Sequence, residues 1–311
     1  MRIKSKILIA TTTFAESSVE SLKLLKSYSL NIVKNNKGRK LTEKEITKLI
    51  VDFDGIIAGT ESYSENVLHR SKQLKVISRL GSGVDNIDLK VANRMGINIF
   101  NTKTSPALGV AELAFGLILD LSRNISSHNS DLKNGIWEKR MGSLISGKTL
   151  GIVGLGTIGK ELVNITKGFG LKYLAHDIKI DFEFSDLHQI EYCTLEEVFT
   201  KSDIISIHTS LTKENQNLID FNLLKMMKPD SILINTSRGD IINENDLIKA
   251  LNQKRIAGAG LDVFSIEPYQ GKLLEFDNIV ATPHIAGYTK EIRSKMELEA
   301  AKNLIKGLGV K

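Results

Sequence analysis

The stretch TLGIVGLGTIG (149–159) constrains this chain more than any other. Aliphatic and β-branched residues run straight into Gly154-Leu155-Gly156-Thr157-Ile158-Gly159, and a helical pattern, KELVNITKGFG, follows. Gly154 permits a tight turn, Gly156 lets backbone approach a pyrophosphate, and Gly159 lets the helix pack against the strand. The start of that helix offers unsatisfied N–H groups and a positive dipole end. Asp177 ends the next strand pattern, KYLAHD, where a carboxylate meets ribose hydroxyls and repels a 2′-phosphate. A bare GxGxxG carries little weight; the strand before it, the helix after it and the acidic residue in register supply the rest. The pattern implies a dinucleotide site that favours NAD over NADP, with Lys179 nearby as a softening cation.

Short β-branched runs alternate with helical stretches on both sides of this motif, which predicts an α/β fold with parallel sheets. The first series is KILIA (6–10), GIIAG (55–59), LKVIS (74–78) and INIF (97–100). The second is TLGIVG, KYLAH, IISIH, SILIN, IAGAGLD and NIVAT. Thr42 with Glu45, and Thr194 with Glu197, read as capping boxes that open helices. Two independent series in 311 residues suggest two doubly wound domains. A helical stretch from about Val110 to Asn134 lies between them, and a last helix from Thr289 to about Leu308 closes the chain.

Composition excludes several classes. The longest apolar run, Val110–Leu121, is short and broken by Glu112 and Asp120, so no membrane span is expected. No secretory leader is evident at the N-terminus. One cysteine, Cys193, can form neither an internal disulfide nor a metal site, which points to the cytoplasm and to no metal. The net charge of +6 is spread among acidic residues without an aromatic-interleaved basic block, so nucleic acid is not an expected partner.

Three residues at strand ends of the second series suggest chemistry: Arg238 in INTSRGDIIN, Glu267 in GLDVFSIEP and His284 in TPHIAG. Ligands of open α/β sheets collect outside the carboxyl ends of strands. Oxidation of a carbinol needs a base for the hydroxyl proton, a task suited to His. A nearby Glu would orient the ring and favour its protonated form, and Arg binds carboxylates bidentately. Each has a duller reading alone: a turn histidine, an exposed loop carboxylate, an Arg that caps a carbonyl. Their joint placement beside a dinucleotide motif favours the chemical one.

The chain resembles the D-isomer-specific 2-hydroxyacid dehydrogenase family, and within it the phosphoglycerate dehydrogenases. The resemblance runs from LKVISRLGSGVDNIDL (74–89) through VAELAFGLIL, GKTLGIVGLGTIG, NTSRGDIIN and GAGLDVFSIEP to TPHIAGYTKE. It implies His284 as general acid/base, Glu267 as its partner and Arg238 as ligand of the substrate carboxylate and carbonyl. It also implies that the turn Leu80-Gly81-Ser82-Gly83 binds substrate carboxylate through backbone amides, with Arg79 beside it. Ser82 would approach the cofactor, Thr157 and Ile158 would follow the pyrophosphate, and Thr209, Thr236 and Asp262 would line the nicotinamide side. Ser237 and Ala286 complete the expected cofactor contacts. The implied fold is a Rossmann-type NAD domain (102–285) inserted into a flavodoxin-like substrate domain (1–101 and 286–311), in a homodimer or homotetramer.

Three positions depart from the family. Ser210 follows Thr209 where Pro is common, Pro106 stands where many relatives carry Asn, and Gly59 replaces an Arg that meets substrate phosphate in phosphoglycerate dehydrogenases. Arg79 is then a candidate phosphate ligand, and Lys139 and Arg140 are candidates to reach a neighbouring subunit. The chain has no stretch matching the C-terminal regulatory domain of longer relatives, so serine feedback is not expected. The leading expectation is oxidation of 3-phosphoglycerate to 3-phosphohydroxypyruvate, as in serine biosynthesis. Its alternatives are a reductase for glyoxylate, hydroxypyruvate or another 2-keto acid, and an NAD-sensing protein like the corepressors that resemble this family.

Overall fold

The protein's structure, a computed structural model, describes residues 5–310. It divides into two compact units, one up to Pro106 that resumes at Tyr288 and one over Ala107–Gly287. The first unit opens with β1 (Lys6–Ile9), α1 (Glu20–Ser27), β2 (Asn31–Lys34), α2 (Glu43–Leu49) and β3 (Gly55–Ala58). It continues with α3 (Glu65–Leu68), β4 (Val76–Arg79), α4 (Leu89–Arg94) and β5 (Asn98–Asn101). The five strands are parallel, in the order β2-β1-β3-β4-β5. Every residue of β3 is buried, as expected of a central strand covered on both faces. The predicted box at α2 forms: Thr42 Oγ1 accepts the Glu45 N–H at 3.3 Å and Glu45 Oε2 accepts the Thr42 N–H at 2.9 Å.

The second unit begins with α5 (Ala107–Arg123), α6 (Ile125–Lys133), β6 (Thr149–Val153), α7 (Thr157–Thr166) and β7 (Lys172–His176). Then come α8 (Phe182–His188), β8 (Ile190–Tyr192), α9 (Leu195–Lys201) and β9 (Ile204–Ile207). It ends with α10 (Phe221–Leu224), β10 (Ile232–Asn235), α11 (Glu244–Asn252), β11 (Gly258–Leu261) and β12 (Ile279–Ala281). Its seven parallel strands lie in the order β12-β11-β10-β9-β6-β7-β8. Growth of the sheet therefore reverses beside β6, whose neighbours are β7 and β9. That reversal opens a crevice at the carboxyl ends of these strands.

Two differences from the sequence reading have local causes. The helix expected over 110–134 is two helices, because Asn124 adopts φ 54°, a left-handed conformation that Asn tolerates. Strands β2 and β8 are additions to the sequence reading: both lie at sheet edges, where β2 keeps no buried residue and the three-residue β8 has its apolar pair split by Glu191.

The last helix, α12 (Lys290–Leu308), belongs to the first unit. Met296, Ala300, Ala301 and Leu304 pack in one core with Ile7, Ile57 and Val76. Ser78 on β4 donates a buried hydrogen bond of 2.9 Å to the Ala300 carbonyl. Among the described residues no helix is long and apolar enough to cross a membrane. No cluster of three His, Cys, Asp or Glu among them could hold a metal ion.

Candidate active site

In the second unit the expected cofactor turn follows β6 directly. Gly154 has φ 95°, and a Cβ there would lie 2.8 Å from the Thr209 nitrogen, so only glycine lets the ends of β6 and β9 meet. Gly156, by contrast, faces open space and stands as the N-cap of α7 with no side-chain cap. The first-turn amides of Thr157 and Ile158 thus keep their donors for an anion. Beyond β7, Asp177 Oδ1 accepts the Lys179 N–H at 2.9 Å, which fixes the carboxylate at the strand end. One pocket is lined by Gly156, Thr157, Lys160, Asp177, Lys179 and Phe182. Lys160 pairs there with Asp181, a contact that no sequence spacing announced. Beyond β10, Thr236 Oγ1 is sealed from solvent with no hydrogen-bond partner. A ligand polar atom would satisfy it. Bare helix amides, a ribose-ready carboxylate and an unsatisfied hydroxyl at neighbouring strand ends fit a dinucleotide.

The structure brings His284 and Glu267 together. His284 Nδ1 lies 3.1 Å from Glu267 Oε1 and 3.0 Å from Oε2, and Oε1 also accepts the Phe264 N–H at 3.3 Å. His284 sits at φ 55°, a left-handed conformation costing roughly 1 kcal/mol. Asp262 sustains it. This carboxylate, with no exposed surface, accepts the Thr282 hydroxyl at 2.6 Å, the Ile285 N–H at 2.8 Å and the Ala286 N–H at 2.9 Å. The His284 N–H itself donates to the Asp262 carbonyl at 2.8 Å. Burial pushes the Asp262 carboxyl above the ordinary range, and the three donors pull against that shift.

Arg238 follows β10 on a turn built by Asn235, which sequence reasoning missed. Asn235 Oδ1 accepts the Ser237 N–H at 3.0 Å and hydroxyl at 2.7 Å, while its Nδ2 donates to the Arg238 carbonyl at 2.9 Å. The signal was a polar residue ending the apolar run SILIN. Gly239 then passes so near the 264–265 backbone that a Cβ would fall 2.0 Å from the Phe264 carbonyl carbon. The absence of a side chain thus brings the turn carrying Arg238 against the loop that leads to Glu267.

In the first unit the turn after β4 differs from expectation. The Leu80 N–H donates to the Ala58 carbonyl at 2.8 Å, and the Gly81 N–H to Thr102 Oγ1 at 3.1 Å. Two of the four expected carboxylate donors are engaged within the protein, which leaves the amides of Ser82 and Gly83 as the candidates. Arg79 is half-buried and donates to the Leu80 carbonyl. Arg140 pairs with Asp131 of the same chain.

Residues 115–286 match the model of the D-isomer specific 2-hydroxyacid dehydrogenase NAD-binding domain. The chain is 37% identical over 278 residues to a hydroxypyruvate reductase of Thermotoga maritima, covering 87% of this chain and 90% of that one. A glyoxylate reductase of Thermococcus litoralis is 41% identical over 256 residues, covering 79% and 77%. A D-3-phosphoglycerate dehydrogenase of Synechocystis sp. is 36% identical over 268 residues, covering 85% of this chain and 48% of that one, so the chain spans about half of this relative. The structure of D-lactate dehydrogenase from Aquifex aeolicus complexed with NAD and lactic acid superposes with a TM-score of 0.82. It is 25% identical, with 96% and 93% covered. By its cofactor turn, its two sheet orders and these likenesses, the chain belongs to the D-isomer-specific 2-hydroxyacid dehydrogenase family and is an NAD-dependent oxidoreductase.

Proposed function

We propose that this protein transfers a hydride between NAD and C2 of a small 2-hydroxy or 2-oxo acid, with His284 as acid and base. The observation that carries the reading is the His284–Glu267 pair, 3.0 Å between Nδ1 and Oε2, at the strand ends of the NAD-binding unit. Bound NAD supplies the hydride acceptor or donor. In the oxidative direction His284, through Nε2, takes the hydroxyl proton; in the reductive direction it returns that proton to the oxygen at C2. Glu267 holds the ring by Nδ1 and stabilises the imidazolium. Arg238 binds the carboxylate and polarises the carbonyl. The amides of Thr157 and Ile158 hold the pyrophosphate, Asp177 the adenine ribose, and Thr209, Thr236, Ser237 and Ala286 the nicotinamide side. Asp262 acts through the His284 loop.

Hydroxypyruvate, glyoxylate and 3-phosphoglycerate are the substrate candidates that the relatives' names suggest. NADH oxidation followed at 340 nm with a panel of 2-oxo acids tests the reading; no turnover of any of them overturns it. That outcome with tight NADH binding would favour the NAD-sensing alternative, against which the assembled His–Glu–Arg set argues. Assembly into a cytoplasmic homodimer or homotetramer belongs to the same reading. It is supported by Trp137, Met141 and Leu144, which are 83%, 96% and 73% exposed and are large apolar side chains suited to burial in an interface. Light scattering on the purified protein checks the subunit count.

A further inference from the structure

The sheet of the first unit also reverses its growth, with β1 flanked by β2 on one side and β3 on the other. The crevice that such a reversal creates lies outside the carboxyl ends of β1 and β3. Thr11 follows β1 there, Gly59 follows β3, and the Ser82 and Gly83 amides follow β4. The side chain filling this corner is Glu61. Its Oε2 accepts the Gly59 N–H at 2.8 Å, and both its oxygens lie 3.1 Å from where a Cβ on Gly59 would stand. A side chain at position 59 would press on this carboxylate, which would have to shift by a few tenths of an ångström.

Glu61 is 2% exposed and firmly held. Asn86 Nδ2 donates to the Glu61 carbonyl at 2.5 Å and to the Gly59 carbonyl at 3.2 Å. The neighbouring Tyr63 hydroxyl is sealed from solvent without a hydrogen-bond partner. Burial raises the Glu61 carboxyl, while the cations Lys40 and Arg79 favour its charged form. Arg79, a candidate phosphate ligand by sequence, therefore acts on a carboxylate of its own unit.

We propose that Glu61 is a specificity-determining residue that closes this end of the first unit to phosphorylated 2-oxo acids. The proposal rests on the hydride-transfer reading above and adds the substrate class. Ends of neighbouring strands stand about 4.8 Å apart. An acid whose carboxylate takes the amides beyond β4 lies one strand from the end of β3, so a C3 substituent turned to that side reaches it. A hydrogen or hydroxyl there meets Glu61 without penalty. A phosphate meets a like charge in a confined corner, and repulsion of this kind is how sites reject a near-cognate ligand.

The test compares kcat/KM for hydroxypyruvate, glyoxylate and 3-phosphohydroxypyruvate in the full chain and in Glu61→Gln and Glu61→Asp. The wild type is expected to prefer hydroxypyruvate to its phosphorylated form by about tenfold or more. Glu61→Gln should raise the ratio of phosphorylated to unphosphorylated turnover about tenfold, and Glu61→Asp, which keeps the charge, much less. A wild type that prefers the phosphorylated acid overturns the proposal, as does an unchanged ratio in Glu61→Gln. Should circular dichroism show that the variants do not fold, the wild-type ratio alone decides. If no 2-oxo acid is reduced at all, the hydride-transfer reading fails, and this proposal falls with it.

Discussion

The buried carboxylate of Asp262 holds the backbone on both sides of His284, accepting the Thr282 hydroxyl before it and the Ile285 and Ala286 amides after it. The imidazole is therefore aimed by a residue that does not touch it through a side chain. Asp262→Ala would strand these donors and release a left-handed residue. Unfolding in urea should show a loss of about 3 kcal/mol, together with a fall in kcat larger than any change in NADH affinity.

Replacement of His284 by Ala removes the proton carrier and leaves the cofactor turn intact. The expected loss in kcat is about 10²- to 10⁴-fold, with NADH dissociation, read by fluorescence, changed less than about threefold. Glu267→Gln keeps the shape and removes the charge facing Nδ1, so kcat should fall by an intermediate factor. Activity in His284→Ala within tenfold of wild type would falsify the acid/base assignment.

Two glycines separate folding from binding. Gly239→Ala drives a methyl into the Phe264 backbone and should cost more than about 3 kcal/mol or prevent folding. Gly156→Ala meets nothing within 4 Å, so its melting temperature should stay near wild type while NADH affinity drops. Equal melting temperatures for the two variants would contradict these packing arguments.

Asp177 should set the choice between NADH and NADPH. Asp177→Ser removes the charge that repels a 2′-phosphate and leaves Lys160 and Lys179 nearby, so the NADPH-to-NADH ratio of kcat/KM should rise about tenfold or more. An unmoved ratio would assign discrimination elsewhere.

His208 supplies an acid-sensitive element. Its Nε2 lies 2.8 Å from Ser206 Oγ, its Nδ1 is sealed from solvent, and burial lowers its pKa from 6.5 to about 4. The folded protein favours the neutral ring, whereas the unfolded chain binds a proton below about 6.5. This stability is present above pH 6.5 and lost as the pH falls toward 4, by up to about 3 kcal/mol. Urea unfolding at pH 7 and pH 5 should show the difference, and His208→Gln should reduce it.

The parallel strands of both sheet centres were legible because buried strands such as GIIA and ILIN read as apolar runs ended by turn residues. The edge strands β5 and β12 were legible too, as INIF and NIVAT, whereas the edge strands β2 and β8 were not. His284, Glu267 and Arg238 could be named from residue type and local motif. Asn235, Gly239 and Glu61 could not be given roles, because these depend on what lies across the chain: a carbonyl to hold, a backbone to approach, an empty corner to fill. The engaged amides of Leu80 and Gly81 show the same limit. A glycine-rich turn suggests donors, but only its neighbours decide which ones remain.

The placement of α12 gives the two units different histories during synthesis. The second unit is one uninterrupted segment, so all of its strands are synthesised before residue 288 is added. The first unit lacks Met296, Ala300 and Leu304 until the final turns of α12 emerge. Until then one face of its sheet, with Ile7, Ile57 and Val76, waits uncovered. The nascent chain is thus most exposed to aggregation and to chaperone capture through its first unit, and emergence of α12 from the ribosome ends that exposure.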